Sequence, residues 1–127
     1  MRKWIRSGGR VAIWSRDLSW VDDEETQQIL LEKARRKEII ICLPQHTSFT
    51  RTLEDEGAEI CPYGSDTLET PTSRFTIAFF GRDGSKVAFG RTEGDYHVIR
   101  EVNASQNPSF YVAQDLIEFA RRSSSNE

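Results

Sequence analysis

The run Ile39-Ile40-Ile41-Cys42-Leu43 constrains the fold more than any other stretch of the chain. Successive side chains of a β-strand point to opposite faces, so a strand with one wet face alternates apolar and polar residues. This run does not alternate. It predicts a strand buried on both faces, which places it centrally in a sheet among parallel neighbours. Glu38 opens the strand and Pro44 stops it. Layers on both faces of the sheet must then bury it.

The flanking residues supply further strands and those layers. Gly8-Gly9 marks a turn, and Arg10 to Trp14 reads as a strand, with Val11 and Ile13 alternating against Ala12 and Trp14. Asp22 and Asp23 are candidate helix N-caps, with Glu24 and Glu25 in the first turn. The helix is expected to reach about Lys37, with Ile29, Leu30 and Ala34 on its core face. Lys33, Arg35, Arg36 and Lys37 complement the C-terminal dipole and read as a solvated helix end, or as a small patch facing nucleic acid. Thr47 or Ser48 caps a short helix carrying Phe49 and Leu53, and Gly57 ends it in the left-handed region. Ala58 to Cys61 is a third strand.

Pro62 to Ser73 reads as a loop rich in Gly, Ser, Thr and Pro, of a length that often carries function. A meander follows: Arg74 to Phe80, Lys86 to Gly90 and Tyr96 to Val102, with Asp83-Gly84 as a hairpin turn signal between the first two. Asn107-Pro108 reads as an N-cap and N1 pair. The last helix is expected to reach about Arg122, with Phe110, Ala113, Leu116, Ile117 and Ala120 inward. The predicted class is α/β: a mixed sheet, mostly parallel at its centre, with an antiparallel meander and helices on both faces.

A chain of 127 residues fits one domain. Residues 10–122 are expected to form it, with 1–9 as a lead-in that reads as the end of a longer helix, and 123–127 as a disordered tail. Seventeen Lys and Arg against 20 Asp and Glu leave a net charge of −3, which argues against a broadly basic nucleic-acid binder. Apolar runs fall far short of the roughly 20 residues of a membrane span. The N-terminus shows no apolar stretch after its charges, so no secretory signal is read and a cytoplasmic location is expected. Cys42 and Cys61 are too few for a disulfide scaffold or a structural zinc site, and read as two buried free thiols. No metal or cofactor is expected.

Four pieces carry a likeness: Leu30 to Leu43 (helix, basic turn, buried strand), Leu53 to Ile60 (helix end, Gly, strand), the hairpin Arg74 to Gly90, and His97 to Phe119 with Glu101 in its strand. In this order and spacing the chain, from about Arg10 to Arg121, resembles one half of the phospholipase D superfamily fold. The family's motif, His-x-Lys-x-x-x-x-Asp, supplies a nucleophilic His, a phosphate-binding Lys and an Asp. A second His from the other half protonates the leaving group. With Arg74 in the Lys position, the His position falls on Thr72 and the Asp position on Phe79. Thr72 has no group titrating near neutral pH, and Phe79 cannot orient a nucleophile. His46 and His97 are followed at the Lys spacing by Ser48 and Ile99.

The resemblance therefore implies a catalytically inactive half-domain. It would act as a regulatory or interaction module for a protein or an anionic ligand, either paired as a homodimer or within a larger regulatory or defence protein. Arg74 reads as a phosphate anchor or as a salt-bridged strand-end arginine. Arg16 follows the first strand, where ligands of open α/β sheets sit, while Trp14 and Trp20 read as core or staple residues. Arg91, Asp95 and His97 read as a polar rim to the same cleft, or as a plain polar edge. The alternatives are a divergent phosphodiesterase or nuclease working through His97 or His46, and a DNA-associated regulatory domain. His46 reads otherwise as a loop or helix-cap residue.

Overall fold

The computed structural model describes residues 2–16, 18, 21–64, 74–93, 96–103 and 108–125, with 2, 3, 91–93, 96–100, 124 and 125 at the backbone level alone. β1 (Val11–Trp14), β2 (Ile39–Leu43) and β3 (Glu59–Pro62) run parallel. β4 (Arg74–Ala78), β5 (Lys86–Glu93) and β6 (Tyr96–Asn103) form an antiparallel meander, and β4 also runs antiparallel to β1. The six strands make one mixed sheet in the order β3-β2-β1-β4-β5-β6. Among the described residues no helix is long and apolar enough to cross a membrane.

The unbroken apolar run is explained by the two layers that cover β2. On one face Ile39, Ile41 and Leu43 join Val11, Ile13 and Ile60 against Ile5 of α1 (Arg2–Ser7), Leu30 of α2 (Glu24–Arg35) and Leu53 of α3 (Ser48–Glu56). On the other, Ile40 and Cys42 join Ala12, Phe75, Ile77, Val87 and Val102 against Phe110, Ala113 and Ile117 of α4 (Ser109–Ser125). Odd positions of β2 meet three helices and even positions meet one, so both parities must be apolar.

Local chemistry sets the helix ends. The Asp23 carboxylate accepts the Thr26 N–H and starts α2. The helix ends at Arg35, short of the expected Lys37, with the Arg36 N–H still on the Glu32 carbonyl. Lys37 adopts φ 57°, and its N–H and that of Glu38 return to the carbonyls of Ala34 and Lys33. This is a Schellman ending with lysine where glycine is usual. At α3, Thr47 and Thr50 bond reciprocally as a capping box, at 3.1 Å and 2.7 Å. Gly57 closes that helix at φ 126°, and a Cβ there would lie 2.6 Å from the Ala34 carbonyl oxygen of α2.

The basic run at the end of α2 is not wholly solvated. Lys33 is buried, with its ammonium on the Gly9 carbonyl at 2.5 Å and the Glu38 carboxylate at 3.2 Å. It ties the helix to the turn that feeds β1. The lead-in contains α1, whose Ile5 is buried in the core. Gly8 has no room for a Cβ, which would meet the Trp4 carbonyl at 2.6 Å.

The meander departs from expectation at three points. β4 ends at Ala78 rather than Phe80, because Phe79 turns to φ 55° and gives its N–H to the Gly8 carbonyl. Asp83-Gly84 is then part of a longer connection between Ala78 and its partner Lys86, closed by the Ser85 hydroxyl on the Phe79 and Arg82 carbonyls. β5 runs past Gly90 to Glu93, pairing Thr92 with His97 and Glu93 with Tyr96. α4 continues to Ser125, so residues 123–125, expected in the tail, are helical.

Candidate functional site

Parallel strands align their C-terminal ends, and the topology brings the named residues toward that end of the sheet. β1 ends at Trp14, and the ladder continues as the Ser15 N–H bonds the Cys42 carbonyl. Arg16 follows, exposed. β4 runs the other way and begins at this end: Phe75 is the register partner of Trp14, so Arg74 lies level with the residues just past β1. Arg74 is half-buried and faces Gly90 of β5 across the ladder. The outer part of the β5–β6 hairpin extends beyond that level, with Arg91 paired to Val98 and Thr92 to His97. Arg91 and His97 are thus placed at the same end without being register partners. Thr72 and Asp95 lie outside the described residues, as does Trp20.

An aromatic stack underlies this end on the α4 side. The Tyr63 and Trp14 rings are parallel within 4° at 4.6 Å, and Trp14 and Phe75 within 2° at 5.9 Å. Trp14 is the core residue expected of it. Tyr63 continues β3, its N–H on the Leu43 carbonyl. Its hydroxyl is buried, with no hydrogen-bond partner among the described residues. Burial, with Cys42 nearby, pushes the phenol up to about 12, so it stays neutral at physiological pH.

His46 also follows a parallel strand, but its ring belongs to α3. Nδ1 lies 3.1 Å from the Thr50 hydroxyl and Nε2 3.8 Å from Glu54. The cap of α3 is Thr47, so the helix-cap role belongs to the neighbouring residue, and His46 instead sets its ring against the Thr50 and Glu54 side chains of that helix.

Three features escaped the sequence reading. Lys33 is one, and the orphaned Tyr63 hydroxyl is another. The third is a polar cluster at the β3 edge, where Arg121 of α4 bonds Glu59 at 2.7 Å and 3.3 Å, and Glu118 at 3.1 Å. Arg121 falls in the last turn of the expected helix, and only the docking of α4 on β3 reveals its partner. Among the described residues no group of three or more His, Cys, Asp and Glu converges as a metal site would require.

No protein-family model, curated protein or solved structure matches the chain. The functional reading rests on the fold and on the residues themselves.

Proposed function

We propose that this chain is a phospholipase D-like half-domain that no longer catalyses and serves as a binding module for a phosphate-bearing ligand. The observation that carries the reading is the place of Arg74. It opens β4 beside the C-terminal end of β1, the end where open α/β sheets take their ligands. Arg16 follows β1 at the same end. A guanidinium offers two parallel donors to phosphate oxygens and supplies no nucleophile, so it holds phosphate without cleaving it.

The aligned Asp position supports the loss of chemistry. Phe79 sits at the far end of β4 from Arg74, with its ring against Gly9 and its N–H on the Gly8 carbonyl. It has no carboxylate to orient an imidazole. His46 has its ring against Thr50 and Glu54 of α3, and His46→Ala should leave phosphate binding unchanged.

The test pairs a turnover assay with a binding assay. Purified protein should not hydrolyse bis(p-nitrophenyl) phosphate. The same preparation should show saturable backbone amide shifts with inorganic phosphate, centred on residues 14–16 and 74–75. Arg74→Ala should weaken that binding by roughly 10-fold or more, the worth of a charge-assisted hydrogen bond. Hydrolysis abolished by Arg74→Ala would overturn the reading, and so would the absence of any saturable shift.

A further inference from the structure

Cys42 and Cys61 are opposite each other in the parallel pairing of β2 and β3. Both thiols belong to the layer under α4, at 0 % and 2 % exposure. Neighbouring strands stand about 4.8 Å apart, inside the roughly 4.4–6.8 Å that disulfides span between Cα atoms. The Cys61 thiol donates to Glu59 Oε2 at 3.6 Å, and Cys42 lies across from it in the same buried layer. Glu59 is held in turn by Arg121. Their environments differ in one respect. β2 is an inner strand, whereas β3 is a short strand of four residues at the edge of the sheet among the described residues. Edge strands open locally at lower cost than the sheet interior.

We infer that Cys42 and Cys61 form a redox-modification site, closing reversibly into a disulfide that staples β2 to β3 when hydrogen peroxide is the oxidant. Cys61, on the strand that opens, reacts first. Its thiolate attacks one peroxide oxygen, the O–O bond breaks, and sulfenic acid and water form. Cys42 then attacks the Cys61 sulfur, the S–S bond forms and the S–O bond breaks, releasing a second water. Two thiols give up two protons and two electrons, and one peroxide becomes two waters. Donation of the Cys42 thiol's proton toward Cys61, then burial, pushes that thiol upward and keeps it quiet in the reduced protein. The first of these causes disappears once Cys61 is oxidised.

The staple lies one register pair before Leu43 and Pro62, from which Tyr63 and Gly64 extend the ladder onto Leu43 and Pro44. Oxidation therefore fixes the strand end that carries Tyr63 and, through its stacking, Trp14.

The experiment uses the full folded chain, fully reduced and then exposed to a slight excess of hydrogen peroxide. Intact mass should fall by two hydrogen atoms, peptide mapping should join 42 to 61, and dithiothreitol should reverse both. Glutathione redox buffers then measure the closing equilibrium in native solution and in guanidinium chloride. The native constant should be at least about 10-fold larger, because the fold holds the thiols together. A native constant equal to or below the denatured one would overturn the proposal. So would build-up of sulfinate on Cys61 without closure. In Cys42→Ser, a dimedone adduct should trap the Cys61 sulfenic acid in folded protein. No adduct would mean that β3 does not admit the oxidant, and the site fails.

Discussion

Lys33 shows how far a single side chain can depart from its sequence setting. In the last turn of α2 it stands among Arg35, Arg36 and Lys37, and a basic helix end is ordinarily solvated. The structure instead turns its ammonium inward, onto the Gly9 carbonyl and the Glu38 carboxylate. Removing it leaves a partly buried carbonyl without its donor. Lys33→Met is expected to lower unfolding free energy by about 2 kcal/mol, and Lys33→Ala by somewhat more, read from urea denaturation midpoints. Arg36→Ala, exposed beside it, should move the midpoint little. The helix ends make an opposed pair of tests. Gly57→Ala puts a methyl 2.6 Å from the Ala34 carbonyl at a backbone angle that L-residues avoid, so a loss of about 2 kcal/mol or more is expected in thermal and urea melts. Lys37→Gly relieves a left-handed residue and should raise stability by up to about 1 kcal/mol in the same melts.

At the scale of elements, the double burial of β2 can be tested directly. If only one face were packed, alternate residues of the strand would differ sharply in their sensitivity. Ile40 faces α4 and Ile41 faces the three other helices, and both are buried. Ile40→Ala and Ile41→Ala should therefore each cost about 2–5 kcal/mol in denaturant melts. Val112→Ala on the exposed side of α4 should cost under about 0.5 kcal/mol. This burial was legible in the sequence because no alternating pattern survives a strand covered twice. The stop at Gly57 was legible for a similar reason, and the two caps to within one residue (Asp22 or Asp23, Thr47 or Ser48), since each depends on chemistry within a few residues. The extension of β5 to Glu93 was not. Arg91, Thr92 and Glu93 carry no apolar alternation, and their strand character comes from pairing with β6. The end of β4 was hidden too, because Phe79 and Phe80 prolong an apolar run that the backbone breaks by docking on Gly8 and Arg10.

Across the whole molecule, the candidate site was legible only as a direction: cations expected near the ends of the parallel strands. Arg74 and Arg16 lie at that end because antiparallel β4 starts where β1 stops, a relation that needs the topology and not the residues alone. Tyr63 was silent in the sequence, since nothing local tells that its hydroxyl will be buried without a partner. That hydroxyl links the fold to pH. Burial raises the phenol to about 12 in the native state, from an ordinary value of 10 that the unfolded chain regains. The unfolded state therefore gives up this proton first as pH rises. Between pH 10 and about 12 the native state holds more protons than the unfolded state, so stability falls with pH across that window. Below pH 10 the contribution is complete and flat. Urea midpoints measured from pH 9 to 12 should decline more steeply in the native sequence than in Tyr63→Phe. The same substitution removes an unsatisfied buried hydroxyl while keeping the ring on Trp14, so at pH 7 it should leave stability unchanged or raise it by up to about 1 kcal/mol. Ultraviolet titration of the phenols in folded protein gives the independent check: one tyrosine should ionise about 2 units above the ordinary value, and Tyr63→Phe should delete that step.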